Sequence, residues 1–420
     1  MTDLELLFLV LAVLYLWECA CWVRRGAVAF QNWFGRWWIA HPGTLLGNAK
    51  GGFIIANPLP PLGTLLTGHQ LPVSLSTQGV LAFAAPSVNP GWRPPQSGNW
   101  KRWDEVQSIK TSGKKVLING QEFLRTASPE LALHLAEQFE TIRKSGASRR
   151  EEVLRRIVHE HLDIKGIESR WKDLQKHSAR LRVQTNLLFI YLFVAAPVII
   201  HRFGLERTWL PLLLGILVCT IPASILFHRA HKHFYPKAED DRFTHFILVL
   251  LSPVSAMRAC DLLSRPLLET FHPLAVAKVF CGDEQFREFA RATFNEVRHP
   301  GLPLCPSTDP AAVQTEQQAR SLLGGAIEKL LKQSGISADA LLEAPAPADE
   351  NCRAYCPRCL AQFTTTTGVC DDCGGLPLVL FGSGKPTKAA VEMSKSAKSG
   401  TEGNPKSGAR NPDLTKAGPT

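Results

Sequence analysis

Three stretches of this chain are apolar over lengths that approach a bilayer crossing, and a fourth begins the same way and then breaks off. Leu6–Val23 reads LLFLVLAVLYLWECACWV; Leu187–Ile200 and Trp209–Phe227 follow much later. A helix needs about 20 apolar residues to cross the hydrocarbon. The first run is preceded by Met1-Thr2-Asp3-Leu4-Glu5 and followed by Arg24-Arg25. A signal peptide wants its basic residues in front, so this pattern predicts an uncleaved anchor with its N-terminus outside. Glu18 lies about a turn and a half from the basic end, which reads as an interface-level carboxylate near Arg24 and Arg25, with a buried partner for another helix as the alternative. Only His201–Thr208 separates the second and third runs, so they predict a helical hairpin, with Pro197, Pro211 and Pro222 tolerated where neighbours satisfy the freed carbonyls. The fourth run, Phe243–Leu263, is interrupted by Pro253 and Arg258. It predicts a re-entrant or interfacial helix.

Between the first and second runs the period changes from helical to alternating. Leu71–Phe83 alternates in places around a Gln-Gly turn. Val106–Ile109 predicts a strand, Thr111-Ser112-Gly113 a turn and Lys115–Ile118 a second strand, after which Asn119-Gly120 is the favoured two-residue hairpin signal. Ser128-Pro129-Glu130 then opens a helix, with Ser as N-cap, Pro in the first turn and a carboxylate against the dipole. Leu131, Leu133, Leu135, Ala136 and Phe139 give that helix an apolar face. The aromatic stretch Phe30–Trp38 reads either as an interfacial belt or as a cluster packed under the domain. Arg149–Arg182 continues as charged helix with Val153, Leu154, Ile157, Leu162 and Ile164 as its stripe, either a stalk feeding the second run or a basic helix lying on anionic lipid.

Farther on, Leu267–Pro300 predicts one or two helices whose Phe271, Leu274, Val279, Phe286, Phe289 and Phe294 form core. Leu302–Glu350, rich in Pro, Ala and Gln, reads as a linker holding one helix, Glu316–Gln333. Beyond Gly382 low hydrophobicity and scattered Lys predict a disordered tail.

Composition adds little until it is read locally. Hydrophobic content is 45%, ordinary for a globular chain. The net charge of +10 suits an anionic surface, either cytoplasmic lipid headgroups or nucleic acid. Its distribution is more informative. Arg170–Arg182 (RWKDLQKHSARLR) precedes the second apolar run and His228–Lys237 (HRAHKHFYPK) follows the third. Basic flanks stay inside, which agrees with Arg24-Arg25. The expected topology is therefore an outside N-terminus, a cytoplasmic region from Arg24 to Arg182, a hairpin out and back, and a cytoplasmic remainder. The anionic inner leaflet is the expected lipid partner.

Candidate chemistry is sparse. No Walker-type phosphate loop and no G-x-S-x-G elbow is present. His228, His231 and His233 cluster with His245 after Glu239-Asp240-Asp241, which raises a metal-dependent membrane enzyme as an alternative. The other close pair, His159 and His161, is two residues apart and does not share a helical face. Cys260, Cys281 and Cys305 lie too far apart for a ligand knuckle and read as buried thiols.

The strongest motif is Cys356-Pro357-Arg358-Cys359, ten residues, then Cys370-Asp371-Asp372-Cys373-Gly374-Gly375. A C-x2-C turn aims two sulfurs at one ion, and two such turns supply four soft ligands for tetrahedral zinc. Gly374 and Gly375 allow the positive φ such a turn needs. Rubredoxin-type iron and paired disulfides remain as rival readings. Tyr355–Phe381 resembles a zinc ribbon, with Leu376–Phe381 as a strand beside Phe363. Four Cys ligands leave no open position, so the resemblance implies a structural zinc. Cys352 reads as a spare, or as an alternative ligand. Eleven cysteines without an even framework fit a reducing compartment.

In pattern, the strands and closing helix between about Pro72 and Ile142 resemble the bacterial pleckstrin-homology-like domains that accompany transmembrane helices. The resemblance implies a ligand- or partner-binding module, not catalysis, in which Lys110, Lys114 and Lys115 are candidate lipid-phosphate contacts or simply a solvated hairpin. The expected architecture is a multi-domain α+β membrane protein: an anchor (1–25), a cytoplasmic PH-like β domain (26–148), a basic juxtamembrane helix (149–186), a transmembrane hairpin (187–229), an interfacial or re-entrant segment with helices (243–300), a linker (301–350), a zinc ribbon (351–382) and a disordered basic tail (383–420). The expected role is a scaffold in a bacterial inner membrane that recruits protein partners. The alternatives are an enzyme using the His228–His245 region and a membrane-tethered nucleic-acid binder. Against the last, Asp371-Asp372 and a shortage of stacking aromatics disfavour the ribbon as a nucleic-acid surface.

Overall fold

A computed structural model describes residues 2, 5–10, 13, 27–31, 37–39, 65–67, 73–83, 98–126, 128–280, 282–299, 309–373 and 375–382. Most of the first apolar run, with Glu18, Arg24 and Arg25, lies outside the described residues, as do Cys281, Cys305, Gly374 and the tail from 383 on. The chain divides into two compact units, one built from residues 1–289 and 304–330, the other from 290–303 and 331–420.

In the first unit, β1 (Ala27–Gln31), β2 (Trp37–Ile39) and β3 (Leu65–Thr67) form an antiparallel sheet in the order β2-β1-β3. Phe30, Trp37 and Trp38 of the aromatic stretch thus fall on two paired strands, while 32–36 lie outside the described residues. Two antiparallel meanders follow: β4 (Val73–Leu75), β5 (Gly79–Phe83) and β6 (Gly98–Arg102), then β7 (Ile109–Ser112), β8 (Lys115–Ile118) and β9 (Gln121–Arg125). At Gly79 a Cβ would lie 2.2 Å from the Lys101 carbonyl oxygen, so no larger residue fits against β6. Asn119 (φ 53°) and Gly120 (φ 80°) make the mirror-image turn that suits a right-twisted hairpin. The expected strand at Val106–Ile109 is displaced. The Asn119 side-chain oxygen Oδ1 accepts from the Gln107 and Ser108 amides at 2.8 and 3.1 Å, which removes them from pairing, and β7 begins only at Ile109. It then runs on through Thr111 and Ser112, expected in the turn, because Gly113 (φ 54°) lets the chain reverse in two residues.

Helix α1 (Pro129–Lys144) closes the meanders. The Ser128 hydroxyl accepts from the Leu131 amide at 3.2 Å, as expected of an N-cap. Leu131, Leu135, Phe139 and Ile142 are buried, and Trp103 and Phe123 meet the Phe139 ring edge-on at 6.2 and 6.4 Å. Leu154 and Ile157 of α2 (Arg150–His161) complete this core.

The expected single helix over Arg149–Arg182 breaks at Leu162-Asp163, where Asp163 turns extended (φ −74°, ψ 97°) and its carbonyl accepts from Ile167 to start α3 (Ile164–Ile190). Pro197, which has no amide to donate, is preceded by a π-helical turn, Tyr191–Ala195, before α4 (Ala196–Phe203). The loop expected over His201–Thr208 shrinks to one residue. Gly204 takes φ 77°, a conformation open to glycine, and α5 (Leu205–Phe234) starts at once. Residues 164–203 and 205–234 are each long and apolar enough to cross a membrane.

The two arms are zipped by a polar seam. The Gln184 side-chain amide donates to the Cys219 carbonyl at 3.1 Å, and the Tyr191 hydroxyl donates to the Leu212 carbonyl at 2.9 Å. Gly215 makes room, since a Cβ there would sit 2.1 Å from the Tyr191 hydroxyl. Small residues at such crossings let helices approach closely. Their outer faces carry exposed Leu187, Val194, Val198, Leu214, Val218 and Ile221.

The fourth apolar run is three pieces: the later part of α6 (Glu239–Leu251), then α7 (Pro253–Met257) and α8 (Ala259–Ser264). Ser252 turns extended and caps α7 through the Ser255 amide at 3.2 Å. The buried Arg258 guanidinium pairs with Asp261 at 2.7 Å. Two further helices follow, α9 (Pro273–Phe280) and α10 (Asp283–Arg298); of the expected core, Phe271 just before α9, Leu274 on α9 and Phe286, Phe289 and Phe294 on α10 are buried, while Val279 is only half-buried.

Two buried histidines flank α9. His272 Nδ1 accepts from the Leu274 amide at 3.1 Å, so this nitrogen carries no proton. His161 Nδ1 donates to the Thr270 carbonyl at 2.5 Å. Burial lowers His161 to about 4, against the opposing pull of the Thr270 carbonyl, with a small further push from His134. Burial, then His161, lowers His272 to about 3. Arg170, bonded to the Leu267 carbonyl at 3.2 Å, is the nearby fixed cation. Both folded values lie below the free value near 6.5. The unfolded chain therefore takes up protons first, and stability falls as pH drops from about 6.5 towards 4, by up to about 1.4 kcal/mol per unit for each histidine. The unfolding midpoint of purified protein should decline across that range. His272→Asn, which keeps an acceptor for the Leu274 amide, should flatten the decline; an unchanged slope would refute the assignment.

The stretch expected as a linker is not one throughout. Helix α11 (Pro310–Gln333) starts six residues before the expected Glu316, and its first part belongs to the first unit. The Thr315 hydroxyl bonds Ser76 at 2.8 Å, and Gln318 accepts from the Thr77 amide at 3.2 Å. Ala312 packs with Leu81. The expected helix is present; what a Pro-, Ala- and Gln-rich composition concealed is that its first turns cap the β4–β5 turn.

Candidate metal centre

Among its described residues the second unit contains five strands of two residues each. β10 (Ala354–Tyr355) pairs with β11 (Gln362–Phe363) and β14 (Val379–Leu380); β12 (Val369–Cys370) pairs with β13 (Leu376–Pro377). Each cysteine pair occupies the bend of a hairpin. Cys356 follows β10 directly, and Cys370 is the last residue of β12.

The first bend is closed by the Leu360 amide donating to the Cys356 carbonyl and the Cys356 amide donating to Ala361, both at 2.9 Å. In the second, the Gly375 amide donates to the Cys370 carbonyl at 3.0 Å. Gly375 sits at φ 81°, as the Gly-Gly pair suggested. In the first bend the left-handed position is held by Leu360 at φ 60°, a residue that gives no such signal in the sequence.

The four sulfurs of Cys356, Cys359, Cys370 and Cys373 lie within 4.8 Å of one another, with Cys359 and Cys370 3.7 Å apart. Four thiolates held tetrahedrally at about 2.3 Å from one ion stand about 3.8 Å apart. All four are free thiols, so the paired-disulfide reading does not describe this arrangement. Phe363, Leu376 and Leu378 pack against the buried Cys356, Cys370 and Cys373.

The protons of this cluster are unequally held. Hydrogen bonds from Cys359, Cys370 and Cys373 lower the Cys356 thiol. Hydrogen bonding with Cys356 and Cys359, together with burial, raises Cys370 and Cys373. The first proton leaves readily and the later ones leave against gathering negative charge. A divalent cation removes that obstacle, which is why such a quartet suits a metal.

Around the cluster, the Arg358 guanidinium is paired with Glu296 of α10 at 2.9 Å, which ties the first bend to helix. Asp371 and Asp372 are exposed. Cys352 is buried but stands outside the group of four; its amide bonds Asp349.

The histidines foreseen as a cluster are scattered. His228 meets Phe246 edge-on at 5.8 Å. His231 is buried among Phe227, Tyr235 and His245, with Nε2 4.0 Å from Glu130. His233 points elsewhere, to Asp173 at 3.1 Å and to the His177 ring stacked at 4.0 Å. Asp173 and His177 were missed in the sequence. Their four-residue spacing puts them on one helical face, but the surrounding lysines and arginines made the segment read as a topogenic flank. No family model, curated protein or solved structure matches the chain.

Proposed function

We propose that this protein is a membrane-anchored scaffold whose soluble parts face the cytoplasm, in the inner membrane of a bacterium, and that its ribbon holds one structural zinc. The observation that carries the membrane reading is the exposed apolar surface of the hairpin. Val218 is 69% exposed and Val194 55%, on arms whose inner faces are zipped by Gln184 and Tyr191. A soluble monomer rarely shows a contiguous apolar patch of this kind, whereas lipid covers it without cost. The basic segments Arg170–Arg182 and His228–Lys237 sit at the hairpin's open end, where anionic headgroups of the inner leaflet suit them.

The two meanders closed by α1 have the strand-then-helix order of a PH-like module, and that module and the ribbon are the surfaces offered to protein partners. Four sulfurs leave an ion no open position, so zinc there serves folding rather than catalysis. The pairing of Arg358 with Glu296 and the exposed Asp371 and Asp372 disfavour the ribbon as a nucleic-acid surface.

Cell fractionation tests the reading. The chain should sediment with membranes, resist a high-salt or alkaline wash and be released by detergent. A thiol-reactive label on an engineered cysteine between Lys388 and Thr420 should react only after the membrane is opened. Release by salt alone would sink the anchoring, and labelling of intact cells would invert the topology.

A further inference from the structure

We infer that Asp173, His177 and His233 form a second metal site, at the open end of the helical hairpin, that takes a divalent transition ion such as zinc. The site is independent of the cysteine quartet and does not require that the hairpin span a membrane.

Geometry carries the inference. Asp173 and His177 are one turn apart on α3, and His233 lies in the last turn of α5, so the set bridges both arms. One ligand atom from each lies within 4.8 Å of the others. The two Asp173 carboxylate oxygens divide between the histidines: Oδ1 lies 2.9 Å from His177 Nδ1 and Oδ2 3.1 Å from His233 Nε2. The imidazoles stack at 4.0 Å with 20° between their planes. Asp173 is the one acidic residue in the two segments Arg170–Arg182 and His228–Lys237, among Lys172, Lys176, Arg180, Arg229 and Lys232. Its carboxylate meets the two histidines rather than making an ordinary helix-surface pair with Arg170 or Lys176, three positions away on either side.

The donor set selects the ion. Two imidazoles and one carboxylate are borderline ligands that suit zinc, iron(II), nickel or copper(II) and match poorly with calcium or magnesium, which favour all-oxygen sets. Ligand atoms held tetrahedrally at about 2.0–2.2 Å from one such ion stand about 3.3–3.6 Å apart; one from each residue lies within 4.8 Å of the others here. The side chains are partly exposed, 43% for Asp173, 36% for His177 and 47% for His233, so rotation about their side-chain bonds closes the gap without moving either helix. Water fills the remaining positions. The bound ion would be a strut joining the ends of α3 and α5, with open coordination sites and an affinity well below that of the quartet.

The test uses untagged full-length protein in detergent, dialysed to remove loosely held ions, then titrated with zinc(II) or cobalt(II) alone. Wild type should take up two ions per chain, one tight and one weaker. His177→Ala/His233→Ala should take up one, the tight ion; Cys356→Ser should keep only the weaker one. The weaker cobalt should lack the thiolate charge-transfer band of a cysteine-bound ion. Added zinc should raise the unfolding midpoint of wild type and leave that of the double histidine variant unchanged. His228→Ala, outside the set, should behave as wild type. Because all three side chains are partly exposed, the double variant should unfold as wild type does without added metal, which separates a lost site from a lost fold. Equal metal uptake by wild type and the double histidine variant would overturn the inference.

Discussion

Cys356→Ser should strip the tightly bound metal from this protein and unfold the residues around it. Among its described residues the unit has five strands of two residues each and a core of three thiols with Phe363, Leu376 and Leu378. So little apolar surface cannot offset the conformational entropy of ordering some thirty residues. On the proposed reading a bound ion supplies most of the stability; for structural zinc in comparable small units the apparent binding free energy is about 10–16 kcal/mol. A chelator should act as the substitution does. Elemental analysis should show the loss of one ion per chain, and limited proteolysis should cut between Cys352 and Phe381 in the variant but not in wild type. Cys352→Ser should change neither, because Cys352 is buried outside the quartet. Full metal content and undiminished protection in Cys356→Ser would refute the centre. The same unfolding should leave α1 and the meanders intact, since they belong to the other compact unit.

Val218→Arg and Val194→Arg, one on each arm of the hairpin, form the second test. Both positions face outward. In water an exposed valine exchanged for arginine costs almost nothing and improves solubility. In a bilayer an arginine near the middle of a span costs roughly 2.5–3.5 kcal/mol on insertion. The pair should therefore lower the membrane-integrated fraction by two orders of magnitude or more, read as detergent-dependent extraction or as protease sensitivity. Arginine at Phe203, exposed at the turn of the hairpin, should be tolerated. If the double variant integrates as wild type does, or if wild type is soluble without detergent, the apolar surface is covered by something other than lipid.

The sequence alone carried the features whose physics is local. Two C-x2-C pairs place sulfurs by spacing, Asn119-Gly120 specifies its turn by backbone preference, Ser128-Pro129 caps α1, and the length of the apolar runs marks the hairpin. Each depends on residues a few positions apart. Other features depended on partners distant in sequence. The start of β7 is set by the Asn119 side chain reaching back to Gln107 and Ser108. Helix α11 was legible over Glu316–Gln333, but its earlier start and its anchoring by Ser76 and Thr77, more than two hundred residues away, were not. The histidines of the His228–His245 segment looked like one cluster, yet α5 points His231 inward and His233 outward to Asp173 and His177 of α3. Helical rotation, not proximity in the chain, decides which side chains meet. Spacing within one turn or knuckle was legible in the letters; which helix face meets which is a property of packing, and only the three-dimensional arrangement decided it.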